Sequence, residues 1–244
     1  EKAGIIKRFT PVIIGESDRE TRPVFLAKAG VEEAPLFFAD ELLSVKKIAQ
    51  SMSEQTFQLA HNESGTTDTY QLGLSGHYQA ENLRTVLCAV DALREDGWNI
   101  SKTAVKNGLK KVVSNTGLLG RMQQLGQQPD ILCDTAHNEA GVQAVMAQIQ
   151  AINQALHIVW GMVSDKKHAD ILQLLPKEAR YYFVKPDVPR GLDADELKEK
   201  AETMGLKGVS FDSVAAGLAA AKASAQPDDV IFIGGSTFVV AEVV

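Results

Sequence analysis

Ile131-Leu132-Cys133-Asp134-Thr135-Ala136-His137-Asn138 decides how this chain folds. Three consecutive apolar residues give way to a cluster of polar ones, and Val142, Val145, Met146 and Ile149 follow at helical spacing. A strand that is apolar at every position is covered on both faces, and a strand handed straight to an amphipathic helix is the grammar of a parallel sheet. The same grammar recurs on either side. Ile158 to Trp160, Tyr181 to Val184 and Val230 to Ile233 read as buried strands. Ile171, Leu172 and Leu175, then Leu197, Ala201 and Met204, then Val214, Ala215 and Leu218 mark the helices between them, the last one capped by Asp212. Residues 116–244 are therefore expected to form an α/β, Rossmann-like domain with a mostly parallel sheet.

Upstream the pattern is different. Val12 to Ile14 and Leu36 to Phe38 are short apolar runs with a helical segment, 22–31, between them. Phe57 and Leu59 alternate with polar residues, as do Tyr70, Leu72 and Leu74, and Asn62-Glu63-Ser64-Gly65 lies between the two runs, which is a hairpin with one wet face. Leu83, Val86, Leu87, Val90 and Leu93 trace a helix ending at Gly97, and Val105, Leu109, Val112 and Val113 trace another. Residues 1–115 thus read as a separate unit of mixed sheet and helices, with Asn115-Thr116-Gly117 as the linker.

Composition removes several classes. Of 244 residues, 45% are hydrophobic and 23% charged, a globular balance. Lys and Arg number 25 against 31 Asp and Glu, a formal charge of −6 with no basic run, which argues against nucleic-acid binding. Apolar runs are far shorter than the ~20 residues a membrane helix needs. Two cysteines, Cys88 and Cys133, make neither a disulfide scaffold nor a four-cysteine zinc site, and fit a reducing cytoplasm. No P-loop and no Gly-x-Gly-x-x-Gly fingerprint occurs. The first residues, Glu1-Lys2-Ala3-Gly4, carry no starting Met, and the chain reads as part of something longer.

Ligands of open α/β sheets collect at the carboxyl ends of the strands. Three such ends here are polar. In Asp134-Thr135-Ala136-His137-Asn138, a carboxylate, an imidazole and an amide leave the strand together; the same residues also suit a helix cap, with Asp134 or Asn138 as the capping group. Gly234-Gly235-Ser236-Thr237 offers close backbone approach and two hydroxyls, or an ordinary turn. Gly161-Met162-Val163-Ser164-Asp165-Lys166-Lys167-His168 is a third candidate, or a solvated loop. Arg121, after Gly120, could pair with phosphate or stay a surface arginine, and Asn82 could cap a helix or meet a purine. Cys133 sits among apolar strand residues with no base nearby and is read as core.

Taken together these motifs resemble the folylpolyglutamate synthase/dihydrofolate synthase family of the Mur ligase superfamily. The resemblance runs through Glu1-Lys2-Ala3-Gly4-Ile5, Gly120-Arg121-Met122-Gln123, Asp134-Thr135-Ala136-His137-Asn138, Gly161-Met162 with Asp165-Lys166, Pro189-Arg190-Gly191, Phe211-Asp212-Ser213-Val214 and Gly235-Ser236, in the family's order. It implies that residues 1–115 are the tail of the family's central ATPase domain and 116–244 its glutamate-ligase domain. It implies an ATP- and Mg²⁺-dependent enzyme, cytoplasmic and monomeric, that adds L-glutamate to dihydropteroate, tetrahydrofolate or both through an acyl phosphate. By the same resemblance Asn82, Arg121 and Asp134 contact ATP, with Asn82 at the adenine, Arg121 at the phosphates and Asp134 at the ribose or the polar network beside it. His137 and Ser236 lie near the incoming glutamate, and Lys2 is the lysine that is carbamylated to support Mg²⁺. The family's P-loop would lie upstream, so the 244-residue chain alone is expected not to catalyse ligation.

Three positions depart from the pattern: Glu139 replaces a frequent Pro, Phe238 a frequent Tyr, and Lys167 a common acidic residue. A cell-wall amino-acid ligase of the same superfamily and a noncatalytic nucleotide- or anion-binding module built on Gly234-Gly235-Ser236 are the alternatives.

Overall fold

A computed structural model describes residues 1–51, 53–164 and 168–244. The chain divides into two units, residues 1–73 with 78–116, and residues 74–77 with 117–244.

In the first unit a 3₁₀ turn, Lys2–Ile5, precedes β1 (Val12–Ile14), α1 (Arg22–Val31) and β2 (Leu36–Phe38). β1 and β2 pair in parallel, so this is a short βαβ crossover, with Pro23 in the first turn of α1 where no intrahelical N–H is lost. A four-residue helix, α2 (Ala39–Leu42), runs into an antiparallel sheet of β3 (Leu43–Gln50), β4 (Gln55–His61) and β5 (Thr67–Leu72). The expected hairpin is β4–β5. Phe57 lies opposite Tyr70, and Phe57, Leu59, Tyr70 and Leu72 are all buried on one face. Leu74, which continues the same alternation, has left the strand and belongs to the second unit. Helices α3 (Gln79–Glu95), α4 (Lys102–Lys110) and α5 (Val112–Thr116) complete the unit. Ser101 caps α4 by accepting from the Ala104 amide at 3.1 Å.

The second unit is a six-stranded sheet of β6 (Gln123–Gly126), β7 (Asp130–Cys133), β8 (Leu156–Trp160), β9 (Arg180–Val184), β10 (Lys207–Phe211) and β11 (Val230–Gly234), in the order β10-β9-β8-β11-β7-β6. All pairs are parallel except β6–β7. Helices α6 (Glu139–Gln150), α7 (His168–Leu172), α8 (Ala194–Thr203), α9 (Val214–Ser224) and α10 (Thr237–Ala241) alternate with the strands. Strand side chains alternate between faces, so Ile131 and Cys133, Ile231 and Ile233, Val159, and Tyr182 and Val184 share one face. They pack there with Val214 and Ala221 of α9 and Val239 and Val240 of α10. The opposite positions, Leu132, Phe232, Ile158, Trp160, Tyr181 and Phe183, are equally buried, which is why these strands are apolar throughout.

Two local expectations change. The cap of α9 is Ser213, whose hydroxyl accepts from the Ala216 amide at 3.2 Å; Asp212 lies one residue too early. Asn82 lies inside the first turn of α3, behind the N-cap residue Tyr78, and so is not the cap. Among the described residues no helix is long and apolar enough to cross a membrane.

Candidate functional site

At the carboxyl end of β7, Asp134 is fully buried, and both of its carboxylate oxygens accept backbone amides. Oδ2 takes the Met122 N–H and Oδ1 the Ala136 N–H, each at 2.8 Å. The first bond holds a bent segment in which Gly120 has φ +69° and Met122 φ +46°. Gly120 is forced by more than its dihedral. A Cβ there would lie 2.8 Å from both Thr135 Cγ2 and Val240 Cγ1. The Gly120 carbonyl accepts from the Thr135 amide at 3.0 Å, so the Gly120–Met122 segment and the strand tip are tied together twice. Arg121 donates from Nη1 to the Thr135 hydroxyl.

Thr135 also sets the imidazole. Its carbonyl lies 3.0 Å from His137 Nδ1. A carbonyl can only accept, so Nδ1 carries a proton and Nε2 of the neutral ring is the nitrogen with a lone pair. The cap of α6 is Asn138, accepting from the Gly141 amide at 2.9 Å, which leaves Asp134 and His137 without that duty.

The tip of β11 lies beside this one. Gly235 has φ +93°, and a Cβ would come within 2.5 Å of the Gly161 carbonyl and 2.7 Å of Trp160 Cε2. Ser236, 3% exposed, accepts from the Phe238 amide at 3.2 Å as the cap of α10, and its own hydroxyl hydrogen can still donate. His137, Val163, Arg190, Gly235, Ser236, Thr237 and Phe238 line one cavity of about 280 Å³. The Arg190 guanidinium lies 4.9 Å from the centre of the Phe238 ring.

The structure therefore brings His137 and Ser236 to one cavity, and links Arg121, Asp134 and His137 through Thr135 and the backbone around it. Asn82 and Lys2 belong to the other unit. Asn82 donates from Nδ2 to Gln79 Oε1 at 2.9 Å, and Lys2 is exposed in the first turn. Among the described residues no three His, Cys, Asp or Glu side chains gather where they could hold a metal. Asp165, Lys166 and Lys167 lie outside the described residues.

Cys133 is wholly buried, and burial pushes its thiol up to about 12, as expected of a core residue. Thr135 and Arg190 are the site residues that the sequence motifs did not single out by role. Arg190 follows the end of β9, so the strand-end rule, extended to a fourth strand, would have found it.

Residues 120–237 match the family described as Mur ligase, glutamate ligase domain. That match places the second unit among the ligase domains of the Mur type. The dihydrofolate synthase/folylpolyglutamate synthase of Escherichia coli is 29% identical over 247 residues, covering 100% of this chain and 53% of that protein. A probable bifunctional folylpolyglutamate synthase/dihydropteroate synthase of Haloferax volcanii is 32% identical over 174 residues, covering 70% of this chain and 20% of that protein. The solved structure of E. coli FolC in complex with DHPP and ADP superimposes with a TM-score of 0.79 at 27% identity, over 100% of this chain and 54% of that one. The chain belongs to the folylpolyglutamate synthase/dihydrofolate synthase family of Mur ligases, and spans about half or less of the length of these relatives.

Proposed function

We propose that the chain is the C-terminal part of an ATP-dependent amide ligase that joins L-glutamate to dihydropteroate or a reduced folate. Residues 1–115 would be the tail of its ATPase domain and 116–244 its glutamate-ligase domain. The observation that carries this reading is the convergence of His137 and Ser236, from the tips of β7 and β11, on one cavity within the segment that matches the glutamate ligase domain. The relative solved with DHPP and ADP supports a pteroate and a nucleotide as the other substrates.

In this reading a pteroate carboxylate attacks the γ-phosphate of ATP, giving an acyl phosphate and ADP. The glutamate amine then attacks the acyl carbon, and inorganic phosphate leaves. An ammonium has no lone pair, so the amine must lose a proton before or during attack. His137 Nε2 is the acceptor for that proton, because the Thr135 carbonyl already holds Nδ1–H. Ser236 has a donor available for a substrate oxygen. Arg121, held by Thr135, supplies positive charge for the nucleotide phosphates, and Asp134 acts by shaping the segment that carries Arg121. Mg²⁺ would neutralise phosphate charge, and Lys2, carbamylated in the whole protein, would be the residue of this chain that supports it.

The test is ADP release by the whole protein given ATP, L-glutamate and dihydropteroate or tetrahydrofolate, with the product's mass increased by one glutamyl unit. His137→Ala is expected to lower kcat by roughly 10²–10⁴-fold, the usual contribution of a proton-transfer group. Absence of glutamate-dependent ADP release, or a His137→Ala enzyme within about threefold of wild type, would overturn the reading. The 244-residue chain alone contains no P-loop and is expected to give no product.

A further inference from the structure

Met122 follows Arg121 and, though not a glycine, lies in the left-handed region with φ +46°. Such a backbone costs free energy and persists only where its surroundings hold it. Both backbone polar groups of Met122 are held. Its N–H donates to Asp134, and its carbonyl accepts the Ser75 hydroxyl at 2.8 Å. Ser75 comes from 47 residues earlier in the chain and is itself buried.

Leu74–His77 run between β5 and α3 yet belong to the second unit. Gln148, on α6, fastens them there. Its carboxamide accepts the His77 amide at 2.8 Å and donates to the Ser75 carbonyl at 3.0 Å. These are the two bonds that one residue of a parallel strand would make to its neighbour. Gln148 is 8% exposed and shares the buried side of α6 with Val145, Met146 and Ile149. A carboxamide in such a place costs free energy unless both its ends are bonded. An apolar side chain would fill the volume without that cost, so the amide's value lies in the segment it holds.

From this chain of contacts, and resting on the reading of Arg121 as a nucleotide-phosphate group, we propose that Ser75 and Gln148 are positioning residues for Arg121. Gln148 sets the place of Ser75, Ser75 holds the Met122 carbonyl, and Met122 fixes the turn from which the guanidinium projects. Asp134 holds the other backbone group of Met122, and Thr135 the far end of the Arg121 side chain. Both residues act through Arg121 and not on a substrate.

The experiment is a double-mutant cycle, read as kcat/KM for ATP in ADP release by the whole protein. Ser75→Ala is expected to lower kcat/KM for ATP by about 3–10-fold, the loss of one hydrogen bond. The KM for L-glutamate should stay within about twofold of wild type. Arg121→Ala should lower kcat/KM for ATP further. In the Arg121→Ala background, Ser75→Ala should change it by less than about twofold, because the group it positions is gone. A hydroxyl that served stability alone would give the same change in both backgrounds. Gln148→Met, which keeps the volume and loses both hydrogen bonds, should follow the pattern of Ser75→Ala. A thermal melt checks each fold; should Ser75→Ala melt below the assay temperature, Gln148→Met takes its place in the cycle. A folded Ser75→Ala enzyme within about twofold of wild type toward ATP, or additive losses in the cycle, overturns the proposal. An Arg121→Ala enzyme unchanged toward ATP removes the role of Arg121 and this proposal with it. A wild-type protein that releases no ADP instead sinks the ligase reading itself, before any variant is compared.

Discussion

Replacing Asp134 tests whether the β7 tip is held by its carboxylate. The residue is 1% exposed, and its two oxygens accept the Met122 and Ala136 amides at 2.8 Å. Hydrogen bonds to a charged group contribute about 1.5–3 kcal/mol each, so Asp134→Ala, which orphans both amides, should cost about 3–6 kcal/mol. Asp134→Asn keeps one carbonyl oxygen and turns an NH₂ toward the other amide, so it should cost about half as much. Urea unfolding of the second unit can be followed by the fluorescence of buried Trp160, with the exposed Trp98 of the first unit changed to Phe to silence it. The midpoint should fall with little change in slope, which marks a loss of stability rather than a change in compactness. Hydrogen exchange at the Met122 and Ala136 amides should speed up in both variants. A loss under about 1 kcal/mol for Asp134→Ala, or an Asn variant as damaged as the Ala one, would show that the carboxylate does not hold this turn.

Gly235→Ala places a methyl 2.5 Å from the Gly161 carbonyl in a left-handed backbone, and should destabilise the second unit by at least about 1–3 kcal/mol in the same urea assay; a neutral change would refute the close approach. Asn138→Ala removes the α6 cap and should cost about 0.5–2 kcal/mol, whereas Asn138→Ser should recover most of it. Burial raises the thiols of Cys88 to about 11 and Cys133 to about 12. Both are therefore protonated thiols at pH 8, and Ellman's reagent should find no reactive thiol in the native protein and two after unfolding. Rapid labelling of either in the native state would contradict their burial.

Strands β7, β8, β9 and β11 were legible because burial on both faces demands unbroken apolar runs, and Ile131 to Cys133 and Val230 to Ile233 have them. β3 was not. After Leu43 and Val45 it runs through Lys46, Lys47 and exposed Ile48, an edge strand whose partner, not its own pattern, makes it extended. β6 escaped notice because its register against β7 shifts between Gln124 and Gly126, and β10 because Gly208 breaks its apolar run. The α9 cap went to Asp212 by residue type, although Ser213 caps equally well and lies one position nearer. At the site, the motifs named Asp134, His137 and Ser236, but roles depend on distances. Only the fold shows that Asn138 is the cap, that Thr135 aims the imidazole, and that Arg190 reaches the same wall from another strand.

β11 lies between β7 and β8, yet the chain makes it after β8, β9 and β10. As the protein emerges from the ribosome, β7 and β8 thus wait with unpaired edges facing a slot that has no strand in it. Such edges invite pairing with other nascent chains. The hydrophobic interior of this unit can only close late, by long-range pairing, which slows folding. Cells producing it would therefore benefit from a chaperone that shields these two strands until their missing neighbour arrives.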